Sequence, residues 1–495
     1  MAGVLCLGFM LLGVALRVQR YLLGRSFRND EASLADALNS HTLLSLITRP
    51  LGGVYTAPVG FVVIEKLSTM LAGNHDYVFR LFPLLMGIAS VPLMYYLARR
   101  TIGPAGAVFC IAAFSLNWMS VFYSSDLKQY SSDVLFALLI LLAAANSHER
   151  NTRRDDVVLG AVGVVAVAFS HPAVYILAVV APVLLWQRGR QPESRRRIVL
   201  IGAAWGAVFL LLYVLFYRTV GQVDRILAYW EDTNGVMPIP PWKDWGWFTA
   251  RPGALLSAVG GLSPITVIPT AFYVLGLVSF ARRGRWEWAA WVFGSAIATL
   301  GGAALVNYPF KGRLILFLVP GAMLTIGEGV QCLAGIVRLH GAGRALAWLA
   351  AAALLWTPAM NAVYQLQQPR SAPYPEDIKP VLGYVRHNLQ PEDLIVVYSG
   401  AELAYRYYAS FYGLQENQTY YLPEWQKTPG KYQGFIDALP RNQRVWLVFC
   451  RVDQTKDNVD ERNYLLDYVR ASGGELLQED SISGGISSVH LVILK

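Results

Sequence analysis

Asp30 and Glu31 stand side by side just after an apolar run and two arginines, Arg25 and Arg28. A second acid and cation, Asp126 and Lys128, lie two residues apart between two later apolar runs. Carboxylates beside cations can take a proton from a nucleophile and also stabilise an anionic leaving group. Lys311 and Arg313 add cationic charge in a third interval of the same kind. Ionisable groups at a membrane boundary are expensive to keep, which makes them candidates for function. Helix capping is the competing physical account: Asp30 can open the helical pattern that follows it, and Asp126, after Ser124 and Ser125, can cap the next apolar span. Several acids and bases gathered on one face exceed what capping requires. A phosphate-linked substrate suits that arrangement.

The elements that must position these residues are read from composition and apolar spacing. The chain has 495 residues, 55% hydrophobic and 15% charged, with a mean hydropathy of +0.38. That excludes a disordered or purely soluble protein and requires lipid as the solvent for most of the chain. Apolar runs centred near residues 12, 88, 112, 139, 163, 179, 207, 273, 297, 325 and 354 predict eleven helical spans. Short basic loops at Arg99-Arg100, 148–156, 187–197, 281–285 and Arg338 to Arg344 each follow an even-numbered span. The positive-inside tendency makes those loops cytoplasmic, keeps the amino terminus inside and sends everything after the last span outside. Residues 24–78, the stretch around Asp126 and the loop from about 218 to 263 then share the outer face, beside membrane lipids.

Residues 370–495 hold 13 Lys/Arg against 16 Asp/Glu, net −3, while the rest of the chain is net +12. The basic residues sit between apolar runs, where loop orientation and lipid headgroups account for them and nucleic acid does not. Two regions follow: a transmembrane domain over 1–369, with an outer loop at about 24–78, and an extracytoplasmic α/β domain over 370–495. In the outer loop, Leu34, Leu38, Leu43, Leu44, Leu46 and Ile47 fall at helical spacing, and "APVGFVVIEKLSTML" makes a second helix, both lying at the interface. Trp230, Trp242, Trp245 and Trp247 suit the headgroup layer. Arg17 and Arg20 are expected to snorkel to it. The tail alternates helix-like and strand-like stretches, and its aromatic cluster, Tyr405, Tyr407, Tyr408, Phe411 and Tyr412, reads as packing. Cys6, Cys110 and Cys332 lie in apolar segments and Cys450 alone in the tail, so no disulfide framework follows. The first run, Met1 to Leu23, has no small-residue cleavage pattern and reads as a retained span. "NQT" at Asn417 fits a glycosylation sequon only as a three-residue match.

"RNDEASLADAL", "APVGFVVIEKL", "FYSSDLKQYSSDVLFALL", "SHPAVYIL" and "NYPFKGRLILFLVP" together resemble the bacterial GT-C glycosyltransferases, which are related to protein O-mannosyltransferases and to the aminoarabinose transferases of lipid A. The resemblance covers residues 10 to 325. It implies a sugar donor carried on a polyprenyl phosphate, an acceptor in the cell envelope, and a multi-pass protein of the bacterial inner membrane with an outward-facing site. Carried over by position, Asp30 is the catalytic base, Glu31 its neighbour in the acidic pair, and Asp126 the second acidic position. Lys128 and Arg313 match positions that hold the lipid phosphate, with Arg28 and Lys311 beside them in charge. Tyr130 is a further donor-site residue. His171, in a tight turn beside Pro172, and the pair Glu65 and Lys66 are substrate-binding candidates whose plainer readings are a polar turn and an interfacial charge pair. Some GT-C branches use a divalent cation, and Asp30, Glu31 and Asp126 are suitable oxygen ligands, but no spacing here demands one. The large luminal insertion of the protein O-mannosyltransferases is missing, which leaves the acceptor open.

A lipid or solute transporter is the alternative, since charged residues at one boundary can line a pathway. Transporters place such groups near the midplane in paired repeats, and no repeat is visible here. A membrane-tethered binding module whose tail does the recognising is the third reading.

Overall fold

All eleven apolar centres lie in helices. The computed structural model describes every residue except 1, 49–56, 190, 218–222, 337–340, 370–375, 424–429, 453–459, 483–486 and 495. The Pro/Gly turn of the outer loop and part of the basic loop from Arg338 fall outside the described residues. Among the described residues, six helices are long and apolar enough to cross a membrane, including Ala2–Leu22, Asp76–Thr101 and Tyr130–Arg150. Pro104–Leu116 and Trp118–Ser125 make a seventh if the pair, bent by 50°, is one span. Ala173–Gln187 and Val267–Arg282 are apolar but shorter. The eleven predicted spans are therefore met in position as helices, and among the described residues six or seven of them pass by length and apolar composition alone. Irregular breaks such as Ser170-His171-Pro172 end helices early.

By its own internal packing the chain forms two units, Met1–Leu22 with His41–Val363, and Leu23–Ser40 with Tyr364–Lys495. The first part of the outer loop thus belongs with the tail.

The first unit is a bundle whose core includes Met94, Phe114, Leu138, Leu141, Val180, Trp288 and Trp291. In lipid no water is expelled when helices meet, so close backbone approach carries the packing. A Cβ on Gly276 would meet the Thr325 carbonyl at 1.8 Å, and one on Gly106 the Gly327 carbonyl at 2.3 Å. Arg17 is fully buried, donating to the Gly13 carbonyl at 2.9 Å and lying 5.5 Å from the Phe114 ring. Arg20 is also buried, its guanidinium 4.3 Å from the Phe122 ring. This corrects the snorkelling reading: a carbonyl and a ring face meet Arg17 inside the bundle, and a ring face meets Arg20. At the other end, Asp156 binds Arg188 at 2.8 Å and Arg197 at 2.6 Å, tying the helices Arg153–Phe169, Ala173–Gln187 and Pro192–Leu212 together.

The second unit is built on a five-stranded sheet of order β2-β1-β3-β5-β4, with β1 Leu394–Val397, β2 Thr419–Tyr421, β3 Arg444–Cys450, β4 Glu475–Ile482 and β5 Ser487–Ile493. β1 runs parallel to β2 and β3, and β5 is antiparallel to β3 and β4. Helices Lys379–Asn388, Glu402–Tyr408, Gly430–Asp437 and Glu461–Ala471 accompany the sheet. β3 is a buried apolar run, as a central strand flanked on both sides should be. The helix-like and strand-like stretches "PEDIKPVLGYVRHNL", "DLIVVYS", "AELAYRYYASFYG", "RVWLVFCRV", "NYLLDYVRAS" and "SVHLVILK" all appear as elements. Short β2, polar β4 and the helix Gly430–Asp437 carry no comparable pattern.

Candidate functional site

The acidic pair opens the helix Asn29–Ser40. Glu31 and Ala32 both donate their backbone N–H to the Arg28 carbonyl, so Arg28 is the residue at the helix entry and Asp30 lies inside the first turn. Glu31 Oε2 accepts the Arg28 backbone N–H at 3.0 Å, which is the returning half of a capping box. Capping is therefore done by Glu31, one residue beyond the position the sequence suggested. The Arg28 guanidinium lies 3.8 Å from Asp30 Oδ1 and 3.8 Å from Glu31 Oε2. All three side chains are buried.

In the first unit, the segment carrying Asp126 follows the break at Asn117. Asn117 is extended and its side chain accepts the Ser120 N–H at 2.8 Å, while its amide donates to the Val259 and Gly260 carbonyls at 2.9 and 2.8 Å. One side chain thus restarts the helix and satisfies carbonyls that have no water to turn to. The serines of "FYSSDLKQYSSD" do the same locally. Ser124 donates to the Val121 carbonyl at 2.6 Å, Ser131 to Tyr123 at 2.9 Å and Ser132 to Gln129 at 2.6 Å. The Lys128 N–H donates to the Asp126 carbonyl at 2.6 Å, closing a tight turn between the two charged residues. The next helix has Gln129 at its start and no side-chain cap, so Asp126 is not its cap. Asp126, Lys128 and Tyr130 are all buried.

Arg313 reaches this group from a distant segment, its guanidinium 5.5 Å from the Tyr130 ring centre. The lead-in to Arg313 is held from the Trp-rich loop. Phe310 donates its N–H to the Gly235 carbonyl at 2.9 Å, Lys311 donates to the Thr233 carbonyl, and Arg251 donates to the Phe310 carbonyl at 3.1 Å. Trp242 and Trp245 are exposed, whereas Trp247 is buried under the Arg251 guanidinium at 4.1 Å. Trp247 is thus a packing residue of this loop and not one for the headgroup layer.

Tyr308 donates to the Leu314 carbonyl at 2.8 Å and meets Tyr175 with ring centres 5.1 Å apart. Burial, reinforced by Asp133, Tyr175 and Tyr130, holds its phenol well above the ordinary range. Burial lowers His171 to about 4, so its imidazole is neutral at neutral pH. Glu65 is enclosed among the helices, not displayed at an interface, and neither of its carboxylate oxygens has a hydrogen-bond partner among the described residues. Lys66 is half-buried beside it.

Asp133 was not singled out by sequence reasoning. It sits one turn beyond Tyr130, buried, within interaction range of Ser170 and Tyr308. Its Oδ1 has no hydrogen-bond partner among the described residues. In sequence it looks like an ordinary acid in the first turn of a helix. Among the described residues no set of three or more His, Cys, Asp or Glu is arranged to hold a metal ion, and no step below is routed through one.

The structure therefore brings Arg28, Asp30 and Glu31 together in the second unit, and Tyr130 and Arg313 together in the first, where Asp126 and Lys128 share one turn leading into Tyr130. Residues 56–217, about a third of the chain, match the family described as dolichyl-phosphate-mannose-protein mannosyltransferase. No curated protein sequence is significantly similar. The chain is similar to the solved structure of ArnT from Cupriavidus metallidurans bound to undecaprenyl phosphate, with 14% identity over 98% of each chain and a TM-score of 0.51. It is also similar to the oligosaccharyltransferase AglB from Archaeoglobus fulgidus in complex with an inhibitory peptide and a dolichol-phosphate. There the identity is 13%, covering 98% of this chain and 74% of that one, with a TM-score of 0.51. The fold is the GT-C fold, and the chain is a multi-pass membrane protein with a small sheet domain at its carboxyl end.

Proposed function

We propose that this protein is a membrane glycosyltransferase that moves a sugar from a polyprenyl-phosphate donor to an extracytoplasmic acceptor in the cell envelope, with inversion. The observation that carries the reading is the buried first turn holding Asp30 beside Arg28 in a GT-C fold. The solved ArnT and AglB structures contain undecaprenyl phosphate and dolichol-phosphate respectively, and the family match over 56–217 names a dolichyl-phosphate-linked sugar donor. The basic loops after even-numbered spans support an outward-facing site in the bacterial inner membrane.

In the proposed reaction an acceptor hydroxyl lies against Asp30. Its oxygen attacks the anomeric carbon from the face opposite the phosphate, and its proton passes to the Asp30 carboxylate. The bond between the anomeric carbon and the phosphate oxygen breaks, and its electron pair leaves with the polyprenyl phosphate. Lys128 and Arg313 stabilise the added negative charge on that phosphate. Asp126 positions the acceptor or shares the proton. Arg28 keeps the acidic turn compact, Glu31 caps it, and Tyr130 supports Arg313 through its ring face.

Mass analysis of lipids and envelope glycans from cells with and without the gene tests the reading. One sugar is expected to disappear from a glycan while its polyprenyl-phosphate form accumulates. A lipid or solute displaced between compartments, with every glycan unchanged, would support the transporter instead.

A further inference from the structure

We propose that Asp377, Tyr408 and the Gly400 carbonyl form a clamp that sets the place of the Asp30 carboxylate, making the C-terminal sheet unit a positioning part of the transfer chemistry. The inference rests on Asp30 being the base.

Residues 24–28 have no regular secondary structure of their own, yet nearly every one is held by a residue from the tail. Lys379 Nζ donates to the Gly24 carbonyl at 2.8 Å. The Ser26 N–H and hydroxyl both donate to Asp377 Oδ1, at 3.1 and 2.9 Å, and the Ser26 hydroxyl accepts the Ile378 N–H at 2.7 Å. The Phe27 N–H donates to the Tyr408 hydroxyl oxygen at 2.8 Å, and the Phe27 ring packs against Tyr407 and Tyr408 with centres 5.1 and 5.9 Å away. Asn29 Nδ2 donates to the Gly400 carbonyl at 2.7 Å. Ser26, Phe27, Asp377 and Tyr408 are all buried.

Gly400 is itself fixed, because a Cβ there would meet the Arg451 carbonyl at 2.6 Å and the Cys450 carbonyl at 2.9 Å. A short line of contacts therefore runs from the end of β3 through Gly400 to Asn29, the residue next to Asp30. A loop that needed only a cover would be met by apolar side chains. Here polar atoms address the backbone N–H groups of successive residues, and that fixes register and dihedral angles of the lead-in. Placement matters to a base: an error of about 1 Å can cost on the order of a hundredfold in rate. The tail aromatics Tyr407 and Tyr408, read from the sequence as packing, are the floor under this lead-in.

The test is a kinetic cycle on the full chain in lipid bilayers, with radiolabelled lipid-linked sugars extracted from the producing cells as donor and their envelope fraction as acceptor. Ser26→Ala and Tyr408→Phe each remove one clamp atom, from opposite sides. Each is expected to lower kcat about tenfold while KM for donor and acceptor stays within about twofold. Hydrogen exchange at residues 24–31 should quicken in both, with β1, β3 and β5 unchanged. In an Asp30→Glu background, where the carboxylate is already displaced by a methylene, each should cost less than about threefold. Equal losses in both backgrounds, a loss carried in acceptor KM, or unchanged exchange at 24–31 would overturn the clamp. Asp30→Asn separates the two layers: full transfer by that variant removes the base and the clamp together, whereas its collapse alongside equal clamp losses in both backgrounds removes the clamp alone.

Discussion

Glu31 offers the sharpest separation of structural from chemical acid in this turn. Its carboxylate accepts the Arg28 N–H at 3.0 Å and stands 3.8 Å from the Arg28 side chain, with 1% of the Glu31 side chain exposed. A hydrogen bond to a charged group contributes about 1.5–3 kcal/mol, and loss of a helix cap costs about 0.5–2 kcal/mol. Glu31→Ala removes both and also takes one carboxylate from a buried guanidinium, so opening of the turn should become easier by about 2 kcal/mol. That corresponds to roughly thirtyfold faster hydrogen exchange over residues 28–34. Glu31→Gln keeps an oxygen on the Arg28 N–H and loses only the charge, which Asp30 at 3.8 Å still supplies. Its exchange should rise no more than about fivefold, near 1 kcal/mol. Peptide-level exchange on the intact protein in bilayers, together with transfer assays, makes the comparison. The expected ordering is wild type, then Gln, then Ala, with transfer by Gln retained. The reasoning fails if Ala exchanges like wild type, or if Gln abolishes transfer while the turn stays closed, since Glu31 would then act chemically.

Two other outcomes follow from polar groups in the first unit. Asp133→Leu removes a buried carboxylate oxygen that has no hydrogen-bond partner among the described residues; such groups cost about 1–3 kcal/mol to keep. The variant should unfold at a higher temperature, and an unchanged or lower unfolding temperature would refute the cost assigned to that oxygen. His171 has its folded value lowered to about 4 by burial, against about 6.5 for an exposed imidazole. Between those values the unfolded chain binds a proton that the folded one does not, so its contribution is present above about pH 6.5 and lost as pH falls toward 4. His171→Asn should flatten the fall of the unfolding temperature over that window, and parallel curves for the two proteins would refute it.

Much of the architecture was readable before the structure because burial in lipid and in sheets leaves periodic marks. Each apolar run became a helix, and "DLIVVYS", "RVWLVFCRV" and "SVHLVILK" became three strands of one sheet. The features that were not readable depend on contacts without a local signature. Ser26 and Asp377 are 351 positions apart, and nothing in "GRSFRND" announces that it belongs with the tail. Asn117 interrupts what reads as one continuous apolar run, because its side chain can cap the next helix and satisfy two distant carbonyls. Arg17 looks like a boundary residue by position alone, but a carbonyl and an aromatic face draw it inside. In the acidic pair, composition identifies two acids at a helix start and only the hydrogen bond tells which of them is the cap.

The account turns most directly on transfer by Asp30→Asn. With purified protein in bilayers and radiolabelled polyprenyl-phosphate sugar from the producing cells, the variant keeps the side chain's size and loses its ability to accept a proton. Loss of a positioned general base lowers transfer by roughly 10²–10⁴-fold, and binding of the lipid donor should be retained. Transfer at the wild-type rate by a folded, donor-binding Asp30→Asn protein would contradict the account.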